Sequence, residues 1–261
     1  MPVNSVKYRL GSGAAAFLLL GTFAATASAA PARNIVLVHG AWVDGSGWKQ
    51  VYEILTRDGY NVSMVQEPLT SLEDDVAATR RVIDLQPDPS ILVGHSYGGS
   101  IITEAGIDPH VVGLVYVAAH APDVGESEAA LGKRMPSFTQ KQAGAVKSTE
   151  DGFTFLDPLD FYKDFAADLP REQADFESRS QILTAAKVFT APITAAAWKT
   201  KPTWAIVAGS DKIINPDLEK WYYARARSHV VEVKGASHSV YESRPREVAA
   251  QIEQAAEHAQ D

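Results

Sequence analysis

The chain has 261 residues, of which 46% are hydrophobic and 21% charged, with a formal charge of −8 and no cysteine. That length builds one α/β domain with a sizeable core without requiring a second, and the composition is not that of a disordered chain. An acidic chain lacking a basic cluster interleaved with aromatics repels phosphate backbones, which excludes nucleic-acid binding; the missing cysteines exclude disulfides, thiolate metal sites and thiol nucleophiles.

The chain opens with Lys7 and Arg9, continues through an apolar stretch from Leu10 to Ala25, and reaches Ala27-Ser28-Ala29, which fits a small-residue cleavage site. The apolar stretch is short of the ~20 residues of a membrane-spanning helix and rich in Gly and Ala. The pattern therefore predicts an export signal over residues 1–29 and a periplasmic or secreted mature chain without a membrane span. Cleavage removes two positive charges and no negative ones from a total of −8, leaving −10.

Residues 30–261 read as a single domain. Strand-length apolar runs at Asn34 to Val38, Tyr60 to Val65, Ile91 to Val93 and Val111 to Ala119 alternate with helical patterns at Trp48 to Arg57, Thr70 to about Leu85, and Gly98 to Ala105. Thr70 with Glu73 reads as a capping box opening the second helix. Between about 121 and 198 the alternation stops. Acidic residues mix there with Phe153, Phe155, Phe161, Tyr162, Phe165, Phe176 and Phe189, which predicts an inserted helical lid with an apolar interior. Strands at Thr203 to Ala208 and His229 to Val233 then alternate with helices at Pro216 to Arg227 and Pro245 to about Ala259. Alternation of this kind predicts a mostly parallel sheet with helices on both faces.

Within this order "GHSYG" places Ser96 between a strand and a helix, the context of a nucleophile elbow, where glycines give room for a sharp turn that exposes the hydroxyl. A serine hydroxyl is a weak nucleophile and needs an imidazole base oriented by a carboxylate. His238 follows the strand ending at Val233, and Asp211 follows the strand ending at Ala208; both stand at carboxyl ends of strands, where a base and an acid belong. Asp123, and after it Glu126, are alternative acids from the end of the preceding strand, and Asp217 reads as the cap of the next helix. His95 leaves its strand on the side opposite Ser96 and reads as a packing residue behind the base. The N–H groups of Tyr97 and of Ala41, in the loop "VHGAWVDGSGW", are candidates for an oxyanion hole, with His39 and Trp42 as candidate shapers of the pocket.

With these residues assembled the chain resembles the α/β-hydrolase superfamily over nearly all of its mature length. Within it, "LVHGAW", "LVGHSYGG", "LVYVAAHAPD", "AGSDKIINPDLEKWY" and "VKGASHSVYESRP" are similar to the branch of plant methyl ester esterases and hydroxynitrile lyases. Hydroxynitrile lyases of that branch carry a threonine after the first histidine and a lysine after the last; Gly40 and Ser239 stand in those places here. The resemblance thus implies hydrolysis of a small-molecule ester or lactone through an acyl-enzyme on Ser96, with neither metal nor organic cofactor, and the lid's phenylalanines with Trp198 predict an apolar pocket and so a largely apolar ester. A lyase or a ligand-binding protein on the same scaffold is the alternative. Exposed lid surface offers a face for a homodimer.

Overall fold

The computed structural model describes residues 31–260 together with residues 1–5 and Lys7; the rest of the predicted export signal lies outside the described residues. The chain runs through β1 (Asn34–Val38), a 3-10 turn at Gly45–Trp48, α1 (Lys49–Arg57), β2 (Asn61–Met64), α2 (Leu72–Ile83), β3 (Ser90–His95), α3 (Gly98–Ala105) and β4 (Val111–Val117). An insertion follows with α4 (Glu128–Arg134), α5 (Phe138–Lys141), β5 (Val146–Ser148), β6 (Phe153–Leu156), α6 (Pro158–Asp164), α7 (Arg171–Glu177) and β7 (Thr184–Ala185). The chain returns through β8 (Thr203–Ala208), α8 (Pro216–Arg225), β9 (His229–Val233), α9 (Val240–Ser243) and α10 (Pro245–His258).

Six of the strands form one sheet in the order β2-β1-β3-β4-β8-β9, and every pairing is parallel. β1, β3 and β8 are buried at every residue, as befits strands covered on both faces. Side chains alternate along them. Ile35, Leu37, Ile91, Val93 and Ile206 pack with Val51 and Leu55 of α1 and Val248 and Ile252 of α10. Val36, Val38, Leu92, Ala205 and Val207 face the other way, toward Val76 of α2, Ile101 of α3 and Leu218 of α8. The parallel arrangement brings all carboxyl ends of the strands to one edge.

The insertion departs from the helical expectation. β5, β6 and β7 form a second, antiparallel sheet of three strands, so the lid is mixed rather than helical. Its strands have three, four and two residues, too short for an alternating pattern to register in the sequence. Of its aromatics, Phe161 and Phe165 are fully buried and stacked at 4.8 Å, whereas Phe176 is 73% exposed. Two caps also differ from expectation by one or two residues. Ser71, not Thr70, caps α2 by accepting from the Asp74 N–H, because its extended backbone aims the hydroxyl at the first turn; Thr70 instead bonds the Asp74 carboxylate. Asn215, not Asp217, caps α8, accepting from the Asp217 N–H. Among the described residues no helix is long and apolar enough to cross a membrane.

Candidate active site

β3 ends at His95 and α3 begins at Gly98, so the chain reverses within two residues, and Ser96 adopts φ 54°, the left-handed region that non-glycine residues avoid. The surroundings hold that strain in place. The Ser96 N–H donates to Val117 O at 3.3 Å, and its carbonyl accepts from Gly99 N at 3.0 Å and His120 N at 3.1 Å. Any Cβ at Gly94 would stand 2.5 Å from the Gly98 carbonyl oxygen, so the strand and helix pass too closely for a side chain there.

Asp211 lies just beyond β8 and His238 in the loop after β9, and the structure brings them together. The His238 Nδ1–H donates to Asp211 Oδ2 at 2.5 Å, with both side chains fully buried. Asp211 Oδ1 accepts from Ile213 N at 2.7 Å and Ile214 N at 2.9 Å, which fixes the carboxylate plane and presents its other oxygen to the imidazole. Behind it Glu219 is buried and accepts from Ala208 N. Burial first, and the charge of Asp211 second, push the Glu219 carboxyl well above its ordinary range. That favours the neutral form of Glu219 behind the carboxylate that meets His238.

The imidazole is oriented from other sides as well. His95 Nε2–H donates to the backbone carbonyl of His238 at 3.0 Å, and its ring packs 4.6 Å from that of His238. Burial holds His95 well below its ordinary pKa, so it supports the loop as a neutral ring. Phe165 from the lid meets the His238 ring edge-on at 4.7 Å, and lid Asp168 accepts from the hydroxyl and amide of Ser237. His238 Nε2, facing away from Asp211, has no hydrogen-bond partner among the described residues, Ser96 included.

Asp123 is placed elsewhere. Its Oδ1 pairs with Lys199 at 2.6 Å and accepts from Val124 N, and Glu126 pairs with Arg225 of α8 at 2.9 Å, so neither alternative acid meets His238. His39 is buried against Glu67 at 2.5 Å and does not reach the pocket. Trp42 does, at φ 67°; its N–H donates to Thr184 Oγ1 and its indole N–H to Thr154 Oγ1, tying the loop after β1 to the small lid sheet.

Ser96 opens into a cavity of about 240 Å³ whose walls include Ala41, Trp42, Phe189 and Ile213. Of the lid phenylalanines only Phe189 lines it, and Trp198 points away, donating to Pro122 O at 3.0 Å. The cavity also has a polar wall that the sequence reading missed, formed by His120 and Glu128. Glu128 follows the Ser127 cap of α4, and in sequence it passes for an ordinary first-turn acid of an exposed helix. Nothing in its own helix announces its burial, because the residue that holds it, Ser100 of α3, lies 28 positions away.

A family model described as the alpha/beta hydrolase family matches residues 35–251. The carbendazim-hydrolyzing esterase of Nocardioides sp. (strain SG-4G) is 34% identical over 112 residues, covering 38% of this chain and 46% of that protein; the chain thus spans about half the length of this curated relative. Three solved structures show the same fold at low identity. The pyrethroid hydrolase from Sphingobium faniae JZ-2 superposes with a TM-score of 0.73 at 20% identity, covering 87% of this chain and 98% of that one. The methylesterase MES16 from Arabidopsis gives 0.71 at 17%, with 85% and 98% covered. Polyneuridine aldehyde esterase gives 0.69 at 18%, again with 85% and 98%. The extent of the family match, together with a parallel sheet that carries a serine elbow after its third strand, places this chain in the alpha/beta hydrolase family.

Proposed function

We propose that the protein is a serine hydrolase that cleaves a small carboxylic ester or lactone through an acyl-enzyme on Ser96. The observation that carries this reading is the buried 2.5 Å bond between His238 and Asp211 at the edge where Ser96 is held at φ 54°. Donation from Nδ1 to Asp211 leaves the Nε2 lone pair to take the Ser96 proton as Oγ adds to the ester carbonyl. The imidazolium so formed lies against the Asp211 carboxylate, which stabilises it, and then protonates the departing alkoxide. Water, activated by the same imidazole, releases the acid. The N–H groups of Ala41 and Tyr97 receive the oxyanion. The serine–histidine hydrogen bond forms with substrate in place, a tightening that free enzymes of this kind commonly leave for the complex.

A cavity of about 240 Å³ admits a small ester with one ring or a short chain. The names of the esterases and hydrolases it resembles support ester cleavage. Lyase chemistry is disfavoured at Gly40, where an added Cβ would stand 2.7 Å from Ser96 Cβ and leave no room for a threonine on this backbone. Ser239, buried and uncharged, likewise supplies no cation for a leaving cyanide. The reading is tested with p-nitrophenyl butyrate and a fluorophosphonate probe. A burst of nitrophenol and a label on Ser96, both absent in Ser96→Ala, are expected. A folded protein that neither labels nor turns over would overturn it in favour of a binding role. Export remains part of the proposal, checked by whether the chain recovered outside the cytoplasm begins near Ala30.

A further inference from the structure

Beyond the reacting groups, the cavity that holds Ser96 contains a buried carboxyl that the proposed reaction does not use. Glu128 is 6% exposed, and one of its oxygens, Oε1, accepts from Ser100 Oγ at 2.5 Å. The other, Oε2, makes no hydrogen bond among the described residues: His120 Nε2 stands 3.5 Å from it, and both side chains line the cavity. The other ring nitrogen of His120 is engaged with the Tyr222 hydroxyl at 3.2 Å. One oxygen of a buried acid is therefore committed to the protein and the other is open to a ligand.

We propose that Glu128 is a specificity-determining residue, whose cavity-facing oxygen selects esters carrying an aromatic ring nitrogen over hydrocarbon esters of the same shape. This rests on the esterase reading of the same cavity. The physical reason is complementarity of donor and acceptor. Burial pushes the Glu128 carboxyl up to about 8, so at neutral pH it keeps its proton, and with Oε1 accepting from Ser100 that proton sits on Oε2. An O–H aimed into a largely apolar cavity is best met by a strong lone-pair acceptor, and a ring nitrogen is one. A hydrocarbon ring leaves the donor unpaired, a loss of about tenfold or more.

Other groups face Glu128 from the surrounding elements. His120 is pushed down to about 3, by burial and then by His238. Tyr97 and Tyr222 are raised well above their ordinary range, chiefly by burial. The Glu126–Arg225 pair stands beyond Tyr222, and Lys187 lies on a second 3-10 turn, Ala186–Thr190, packed against α4. Any effect of pH on the reacting groups bears on every ester alike and cancels in a ratio of two substrates.

The test compares methyl nicotinate with methyl benzoate, and pyridylmethyl acetate with benzyl acetate, so that the nitrogen is offered in either the acyl or the alcohol part. Each kcat/KM ratio is measured for the wild type, Glu128→Leu and Glu128→Gln. Dividing the wild-type ratio by that of Glu128→Leu removes intrinsic reactivity, and at least one pair is expected to keep a preference of about tenfold or more for nitrogen. Glu128→Gln, which still has an N–H to donate, should keep part of it. Above pH about 8 the wild-type preference falls as the donor proton is lost, and in Glu128→Gln it does not. Equal ratios in all three proteins, with p-nitrophenyl butyrate still hydrolysed, overturn the proposal alone. If nothing is hydrolysed the esterase reading fails instead, and selection is then decided by calorimetric binding of methyl nicotinate and of methyl benzoate to Ser96→Ala and its Glu128→Leu double variant: equal affinities there refute it.

Discussion

The parallel sheet and the lid are built on different principles. β1, β3 and β8 are buried at every residue, and their side chains alternate between two apolar layers, so each strand's place follows from its own sequence. The lid adds to its small apolar core side chains that reach backbone across long separations: Gln181 bonds both the N–H and the C=O of Leu156, and Thr154 Oγ1 donates to Thr184 O. Its first strand, β5, is exposed throughout. The sheet fixes where Ser96, Asp211 and His238 sit. The lid decides what fills the cavity beside them, and braces His238 through Phe165 and Asp168.

Substituting one carboxylate from each region is the strongest way to separate positioning from packing. Asp211→Asn keeps the shape of the side chain but presents the wrong hydrogen-bonding partner to Nδ1, and should lower kcat toward p-nitrophenyl butyrate by about 10⁴. Asp123→Asn removes only the partner of Lys199, a half-exposed pair, and should leave kcat within about twofold. Comparable losses in both would mean that the lid's ion pairs help to set the reacting geometry, which the contacts of Asp211 and Asp123 give no reason to expect.

The second comparison lies inside the lid. Phe161 is wholly buried and stacked on Phe165, so Phe161→Ala removes a large side chain from a closed core and should cost about 3–5 kcal/mol in denaturant unfolding. Phe176→Ala, at a 73% exposed site, should stay within about 0.5 kcal/mol. The two residues look alike in sequence, which shows where legibility ended. "LVGHSYGG" carries strand, turn and helix within itself, so the elbow at Ser96 could be read directly, and the order of strands then indicated Asp211 and His238. Which aromatic turns inward, which acid meets Lys199 and which faces the cavity depend on partners far along the chain. Short lid segments have no period to declare them.

Between the two regions stands Trp42, whose N–H bonds Thr184 Oγ1 in β7. Thr184→Val keeps the volume and deletes the acceptor, leaving a buried amide unpaired at a residue already held at φ 67°. A loss of about 1–3 kcal/mol is expected, accompanied by a raised KM because Trp42 lines the cavity. Unchanged KM would show that the loop after β1 keeps its form without the lid.

The gentlest comparison uses protons. Glu128 in the lid, pushed up to about 8 by burial, holds in the folded chain a proton that the unfolded chain releases near 4.5. Below pH 4.5 both states are protonated and nothing is lost. From there to pH 8 the unfolded state gains by ionising, so the folded state loses stability as pH rises; above 8 the loss is complete. Asp75, buried beneath Tyr97 on the sheet side and pushed up to about 6, has the same sign but completes its loss two pH units earlier. The wild-type Tm should therefore fall from pH 5 to 8.5, and Glu128→Gln, which cannot ionise, should fall less, the saving growing with pH and the larger part of it appearing above pH 6. A saving confined below pH 6 would mean that burial raises the Glu128 carboxyl far less than the contacts of its oxygens imply.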